Sequence, residues 1–524
     1  MTKSDAGYSL YLVTDSTPAI LGDKDLCHVV EAAVKGGVTC VQFRDKTSDT
    51  GLLVETARRL HKITQKYSVP LLINDRVDVA LAVGCEGVHI GQDDMELSLA
   101  RRLLGPDAII GVTVSNSGEA QRACEGGADY VGIGTVYATP TKKNAKSIIG
   151  TAGVRGILDA MRGYGHSVKT VCIGGINESN LQRIVFQSNS YHKKLDGVAV
   201  VSAIIASADP QAAAQGLLSL FRTPPPYQGT TAEEEKKASG VFGMLDLAPS
   251  IIKAIHMCTP LSHNMTNLVV QNFAANVALA VGASPIMANY GEEAPDLCKL
   301  GGSLVINMGT VTPDGLDNYL KALRAYNQVG QPVVFDPVGA GATAVRRAAV
   351  KTIMSNGYLD VIKGNEGEIN TVFGDDGTQQ RGVDSSNALD ATQKAKLALK
   401  LAYREKNVVV MTGQTDFVSD HERTFTIQNG HQYLSMVTGT GCVLGTAISA
   451  AVAVYPDDKL AATIAAMLHF EIAAELAAER PDVQGPGTFV PAFIDELHKI
   501  RQAAARDDTA WLKRAKLTLV ENLI

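Results

Sequence analysis

The sequence predicts an α/β protein of two domains, an N-terminal (β/α)8 barrel followed by a layered α/β domain. Three observations predict it. Residues 222–240 read RTPPPYQGTTAEEEKKASG, with three consecutive prolines, a charged run and no valine, leucine or isoleucine. Such a segment cannot bury enough apolar surface to offset its ordering entropy, so it reads as a linker. It splits the 524 residues into stretches of about 220 and about 285, each the size of a large single domain. In both stretches, short β-branched runs alternate with helical ones. The expected domains are therefore residues 1–222 and 241–524, joined by 223–240.

In the first stretch eight runs read as strands: Ser9–Asp15, Thr39–Lys46, Pro70–Arg76, Gly87–Asp94, Ile109–Val114, Tyr130–Val136, Lys169–Ile176 and Gly197–Ile204. Between the first two, Leu26, Val29, Val30, Ala33 and Val34 fall on one helical face, and Gly36-Gly37 ends the helix. Eight such units point to a barrel, with a doubly wound open sheet as the alternative. Polar residues gather at the C-terminal strand ends: Gln42, Arg44 and Lys46, then Asn74 and Asp75, Asp94, Thr113, and Thr139, Thr141 and Lys142. In a barrel these ends open on one face, where barrel active sites lie. Asp75 and Asp94 suit Mg²⁺ with waters left in its shell. Arg44, Lys46 and Lys142 are cations fit for a pyrophosphate leaving group. Gly174-Gly175 and Ser202 suit a phosphate at a helix N-terminus.

In the second stretch Ser303–Met308, Pro332–Asp336, Val361–Lys363 and Val408–Thr412 read as strands among Ala-rich helices. Four strings carry chemistry there. FDPVGAGAT places Asp336 before a glycine loop, KGNEGEIN pairs Asn365 with Glu368, and VVVMTGQTD sets Thr412-Gly413 at a strand end. In VTGTGCVLGTAISAAVAV, Gly439-Thr440-Gly441-Cys442 opens a long apolar helix, whose N–H groups and dipole favour an anion and should depress the Cys442 pKa. No GxxxxGK[ST] loop is present. His263 and Asn264 read as local hydrogen-bonding residues, Asp375–Thr392 as a mobile insertion, Phe489–Ile524 as helical and Trp511 as packing.

The composition is 45% hydrophobic and 19% charged, with a net charge of −6, which argues against a broad nucleic-acid or membrane-surface footprint. Eight widely spaced cysteines form no CxxC pair and read as reduced thiols. The opening MTKSDAGYSLYLVTD lacks the pattern of a signal or transit peptide. The longest apolar runs, around 443–455 and 461–476, fall short of the roughly 18 uninterrupted residues of a membrane span. A cytoplasmic protein is expected.

The strings YLVTD, VQFRDK, INDR, GVHIGQDD, IGVTV, DYVGIGTVYATPTKK, CIGGI and VAVVSAI resemble the thiamine-phosphate synthase family along the whole first stretch. The resemblance implies coupling of hydroxymethylpyrimidine diphosphate to a thiazole phosphate. It implies that Gln42, Arg44, Lys46, Asn74, Thr113 and Lys142 bind the pyrimidine diphosphate, that Asp75 and Asp94 bind Mg²⁺, and that Thr139, Thr141, Gly175, Val201 and Ser202 hold the thiazole phosphate. Thr113 stands where many members have Ser, and Thr135 where Pro is common. PLSHNMTNLVVQNFAANVALAVGASPIMA, LVINMGT, DPVGAGAT, KGNEGEI and GTGC resemble hydroxyethylthiazole kinase, a ribokinase-like fold. This implies that Met287 and Gly439 contact the thiazole, Lys363 and Thr412 the ATP, that Asp336 and Glu368 organise Mg²⁺ and phosphate, and that Gly441 and its neighbours form an anion hole. Cys442 stands where most ribokinase-like enzymes have an aspartate base, so it activates the hydroxyl or only positions it. Lys363 stands where bacterial members often have Arg. The resemblance also implies a homo-oligomer built on a trimer. Two other readings stay open on the residues alone, a sugar-phosphate barrel lyase fused to a vitamin or sugar kinase, and a non-catalytic sensor of vitamin precursors.

Overall fold

The computed structural model describes residues 3, 6–139, 148–164, 167–228, 238–374, 389–521 and 523. It divides into two units, Met1–Pro225 and Pro226–Ile524.

In the first unit, strands β1 (Leu10–Val13), β2 (Cys40–Phe43), β3 (Leu71–Asn74), β4 (Gly87–Ile90), β5 (Ile109–Val114), β6 (Tyr130–Gly134), β7 (Lys169–Ile173) and β8 (Gly197–Val200) pair in parallel in chain order. Leu10 opposite Val198 returns β8 to β1 and closes the barrel, which excludes the open sheet. β5 has its expected bounds, but the other strands stop short at one or both ends. Arg44 to Lys46, Asp75-Arg76 and Gly91 to Asp94 have left the ladder, because polar side chains gain more at the open mouth than inside it. The eighth run, expected to stay extended through Ile204, turns into a short helix at Ser202–Ile205. The barrel interior is filled by Tyr8, Tyr11, Val13, Cys40, Leu72, Ile109, Tyr130, Val171 and Ala199.

The helix Leu26–Lys35 is the one expected. Asp25 caps it by accepting from His28 N at 2.9 Å, and its apolar stripe is buried. It ends at Gly36-Gly37 for a steric reason. A Cβ on Gly36 would lie 2.3 Å from Gln211 O, and Gly37 has φ +105°.

The second unit is a nine-stranded sheet, where four strands were expected. Its strands are β9 (Leu261–Met265), β10 (Ser284–Ile286), β11 (Ser303–Asn307), β12 (Val333–Asp336), β13 (Val361–Asn365), β14 (Val408–Thr412), β15 (Asp416–Ser419), β16 (Thr424–Ile427) and β17 (Leu517–Leu519). Their order is β10-β9-β11-β12-β13-β14-β15-β16-β17. The pairs up to β13–β14 are parallel, and β15, β16 and β17 add on antiparallel. The strands missed in sequence are short, or polar like LSHNM in β9, whose Ser262, His263 and Asn264 are nonetheless buried. Neighbouring residues face opposite cores. Val305, Val334, Val361 and Val410 pack against Gly240–Cys258, Thr440–Val454, Lys459–Ala478 and Pro486–Ala505. Leu304, Phe335, Ile362 and Val409 pack against Pro313–Val329, Ala344–Asn356 and Ala391–Glu405. This makes three α/β/α layers.

Several expectations are corrected. Residues 489–524 are not one helix: Pro486–Ala505 is followed by a 3-10 turn at Ala510–Arg514 and by β17. Trp511 is buried, as expected of a packing residue. Two helices, Gly240–Cys258 and Lys459–Ala478, reach the length and mean hydropathy of a membrane span although charged residues interrupt both. The second is sheathed by the sheet and its neighbours, and the first buries one stripe, Met244, Ala248, Ile251, Ile252 and Ile255. Of the expected linker, 229–237 lie outside the described residues. Before them Tyr227 is buried and stacks on Tyr358 with ring centroids 4.4 Å apart. Of the expected insertion, 375–388 lie outside the described residues, and Asp390 already caps the helix Ala391–Glu405.

Asp458 concentrates the polar bonding of the second unit. Its carboxylate takes two hydrogen bonds from Arg423 at 2.8 Å, one from Ala238 N at 3.0 Å and one from Ala461 N at 3.1 Å, the last capping Lys459–Ala478. Burial opposes its charge, but Arg423 and the N–H groups outweigh this and hold the carboxyl below its usual range. Asp458→Ala is expected to destabilise the second unit by about 3 kcal/mol in chemical unfolding, since Asp420 still faces Arg423. A depressed carboxyl contributes stability above its unfolded pKa and loses it as pH falls through the folded value. The difference between wild type and variant should therefore shrink below about pH 4.

Candidate active sites

At the C-terminal mouth of the barrel is a cavity of about 400 Å³. It is lined by Gln42 and Arg44 after β2, Asn74 at the end of β3, Thr113 on β5, Thr139 after β6, Gly174-Gly175 after β7, and Val201-Ser202 after β8. Eight of the expected site residues thus meet there. Gly174 has φ +116° and Gly175 φ +67°, and a Cβ on Gly175 would lie 2.9 Å from Ala138 O. This close passage brings bare backbone to the cavity wall. Thr135, which stands where Pro was expected, is buried and also lines the wall. Thr141 and Lys142 lie outside the described residues.

Beside the cavity, Lys46 Nζ is 3.0 Å from Asp75 Oδ2, and Arg44 Nη1 is 3.8 Å from Asp15 Oδ2. The Asp94 carboxyl accepts from Gly91 N at 2.7 Å. It is raised above the ordinary carboxylate value, first by burial and then by Asp75 alongside. Two carboxylates in contact, one of them paired with Lys46, favour a cation. Among the described residues no three His, Cys, Asp or Glu converge on a metal position. A divalent ion at this pair would keep waters in its shell, which fits Mg²⁺.

The second site lies at the tip of the helix Thr440–Val454. Gly439, at φ +95°, caps it, and a Cβ there would lie 2.4 Å from Val270 Cγ1. Beneath the tip, Lys363 Nζ donates to Gly441 O at 2.8 Å and to Asp336 Oδ2 at 3.1 Å. Asn307 Nδ2 donates to the same Asp336 oxygen at 2.9 Å. Asn267 Nδ2 bridges Asn307 Oδ1 at 2.9 Å and Cys442 Sγ at 3.7 Å. Asp336 Oδ1 is buried and receives no hydrogen bond from the protein, the kind of oxygen a cation completes. Burial works against the Lys363 charge, but Asp336, Cys442 and Glu368 hold it above the usual lysine value.

Glu368 closes a capping box with Asn365. Its two oxygens accept from Gly339 N and Asn365 N, both at 2.8 Å, which ties the glycine loop after Asp336 to the helix start. Its pKa is raised to about 7, first by burial and then by Asp336. Thr412 ends β14, and the next residue, Gly413, donates to Asp416 at 2.7 Å. Met287 follows β10 and packs against the helical core. His263 is buried on β9 between Tyr326 Oη, 3.2 Å away, and Ala288 O, 2.8 Å away.

One expectation fails. The Cys442 pKa is not depressed: burial pushes the thiol up, the Asp336 carboxylate adds to this, and Lys363 with two asparagines only partly opposes it. A helix tip lowers a thiol pKa when solvent reaches it, and here the tip is packed against a carboxylate. The sequence reading also missed Asn307 and Asn267. Both stand in strings already singled out, LVINMGT and PLSHNMTN, where an asparagine at or just past a strand end was the available signal.

The hydroxyethylthiazole kinase family model matches residues 252–503, and the thiamine monophosphate synthase model residues 10–204. Over 99% of its length the chain is 42% identical to the whole of a probable thiamine biosynthetic bifunctional enzyme of Schizosaccharomyces pombe. It is 36% identical to the thiamine biosynthetic bifunctional enzyme of Saccharomyces cerevisiae, covering 95% of this chain and 96% of that one. A solved structure of a hydroxyethylthiazole kinase protein from Pyrococcus horikoshii OT3 is 38% identical, covering 53% of this chain and all of that one, at a TM-score of 0.47.

Because only the thiolate attacks, iodoacetamide at neutral pH is expected to label exposed Cys258 at least about tenfold faster than Cys442. Peptide mapping by mass spectrometry reads the two rates. Equal or faster labelling of Cys442 would contradict the raised thiol.

Proposed function

The chain belongs to the thiamine biosynthetic bifunctional enzymes, a thiamine-phosphate synthase and a hydroxyethylthiazole kinase in one polypeptide, and from that premise we propose how its residues divide the work. The kinase phosphorylates 4-methyl-5-(2-hydroxyethyl)thiazole with ATP. The synthase couples that thiazole phosphate to hydroxymethylpyrimidine diphosphate, giving thiamine phosphate and pyrophosphate.

One observation carries the synthase assignment: the ends of β2, β3, β5, β6, β7 and β8 each bring an expected residue to one cavity. In this reading Gln42, Asn74 and Thr113 hold the pyrimidine. Arg44, Lys46 and Lys142 take up the negative charge that grows on the departing diphosphate. Departure leaves a cationic methylene carbon, which the thiazole nitrogen captures, so the step calls on charge stabilisation more than on proton transfer. Thr139, Thr141, Gly175, Val201 and Ser202 cradle the thiazole phosphate. Asp75 and Asp94 would hold Mg²⁺, which when bound neutralises diphosphate charge.

In the kinase reading Met287 and Gly439 contact the thiazole, Lys363 and Thr412 the ATP, and the N–H groups from Gly441 onward receive developing negative charge. The unshared oxygen of Asp336 would face Mg²⁺. Glu368, with both oxygens engaged by backbone N–H groups, holds the glycine loop and would meet the ion through water. A protonated Cys442 positions the substrate hydroxyl and is a poor base for it. A homo-oligomer built on a trimer of the second unit is part of this reading. The exposed Leu268 and Val269, beside the Val270 that meets Gly439, are a face a neighbouring copy would cover. The cytoplasm is the compartment that suits eight free cysteines.

A one-pot assay with free hydroxyethylthiazole, ATP, hydroxymethylpyrimidine diphosphate and Mg²⁺ tests the scheme, with thiamine phosphate as readout. Lys142→Ala is expected to stop at thiazole phosphate, with synthase turnover lower by at least about a hundredfold. Cys442→Ala is expected to slow the kinase about tenfold and to be rescued by added thiazole phosphate, while Cys442→Ser stays near wild type. Chelating Mg²⁺ should abolish both reactions. A Lys142→Ala variant with near-full synthase activity would remove that residue from the site.

A further inference from the structure

Inside the barrel five polar side chains form one unbroken line of hydrogen bonds. Gln42 Nε2 donates to Tyr11 Oη at 2.8 Å, and the Tyr11 and Tyr130 hydroxyls lie 2.7 Å apart. The Tyr130 hydroxyl is 2.8 Å from His89 Nδ1, and His89 Nε2 is 2.8 Å from Thr113 Oγ1. The first link fixes one end, since an amide N–H can only donate, and the arrangement in which every member then both accepts and donates along the line runs from Gln42 to Thr113. In that arrangement Tyr11 accepts from Gln42 and donates its O–H to Tyr130, and Tyr130 donates its O–H to His89 Nδ1. An imidazole that accepts at Nδ1 carries its proton on Nε2, which donates to Thr113. The line ends with two uncommitted groups, the Gln42 carbonyl oxygen and the Thr113 hydroxyl proton. Both residues line the cavity.

Two further observations support this reading. Burial pushes both tyrosine hydroxyls well above the ordinary value, so each stays a neutral O–H able to donate. The sheet also makes room for the rings. A Cβ on Gly111 would lie 2.0 Å from the Tyr130 ring, and one on Gly132 would lie 2.9 Å from His89 Cε1. Glycine weakens a strand, and here it clears the space that the line occupies.

Resting on the synthase reading of this cavity, we propose that Tyr11, Tyr130 and His89 are positioning residues that orient Gln42 as an acceptor and Thr113 as a donor towards the pyrimidine. The barrel thereby selects a heteroaromatic ring that offers an N–H to Gln42 and an acceptor nitrogen to Thr113. None of the three is a catalytic residue: each acts through its neighbour in the line.

Two measurements on the full chain test this. In the ¹⁵N-histidine NMR spectrum of the ligand-free protein, the His89 signals, identified by their loss in His89→Gln, are expected to be those of the neutral Nε2–H tautomer. The Nδ1–H tautomer or an imidazolium overturns the proposal. In synthase kinetics, Tyr130→Phe keeps the ring and removes two links. The KM for hydroxymethylpyrimidine diphosphate is expected to rise about tenfold, the equivalent of one oriented hydrogen bond, with the KM for thiazole phosphate unchanged. No change, or an equal rise in both KM values, overturns it. Tyr11→Phe repeats the measurement if Tyr130→Phe does not fold. Should the wild-type chain make no thiamine phosphate from the two phosphorylated substrates, the synthase reading itself falls, an outcome distinct from a wrong tautomer in an active enzyme.

Discussion

A parallel strand covered on both faces has few places for a polar side chain other than its ends. That constraint organises both units. In the barrel, Arg44, Asn74 and Ser202 lie at or just past the carboxyl ends of β2, β3 and β8, where the ladder stops and the cavity begins. In the layered unit, Asn307, Asp336 and Thr412 occupy the last positions of β11, β12 and β14. Two unrelated chemistries arise at the same kind of place because only there can a rigid backbone hold polar groups without burying them unpaired. Where polar side chains do lie deeper, they bond to one another, as Tyr11, Tyr130 and His89 do.

The helix-tip site shows the cost of the other solution. Lys363 and Asp336 are both buried, and the pair is stabilised by three further groups, Asn307, Gly441 O and, through Asn307, Asn267. A buried ion pair of this kind adds little to stability by itself. Its value lies in holding one carboxylate oxygen open towards the place where phosphate charge must be met, and in keeping the ammonium charged there. The same surroundings that hold this pair raise the Cys442 thiol, so a good anion site and a reactive cysteine compete for the same few ångströms.

Much of the barrel was legible because each strand announces itself twice, by a β-branched run and by the polar residues that end it. Those end residues also led the reading astray: Arg44, Asp94 and Ile204 were kept inside strands they had left. In the second unit β9 was missed because Ser262, His263 and Asn264 look like loop, and nothing local reveals that Thr446 and Ser449 will bond to them from a helix far along the chain. β15, β16 and β17 are short, and their identity rests on pairing with one another. The cavity-lining residues could be named in advance from strand ends and motif. Tyr11 and Tyr130 could not, since an inward aromatic residue on a barrel strand has the same signature whether it packs or bonds. The altered Cys442 was beyond reach for a similar reason: helix position is local, but burial against Asp336 depends on the whole fold.

The sheet of the second unit is finished by β17, which pairs with β16 across an interval that contains three long helices, Thr440–Val454, Lys459–Ala478 and Pro486–Ala505. Until those helices have packed, β17 has nothing to bring it to its partner, and β16 presents a bare row of N–H and C=O groups to its surroundings. Such non-local closure is slow compared with forming a hairpin such as β15–β16. A state with the helices packed and β17 not yet docked would leave the sheet with an unguarded margin. In that state the chain would be most exposed to pairing with another copy of itself.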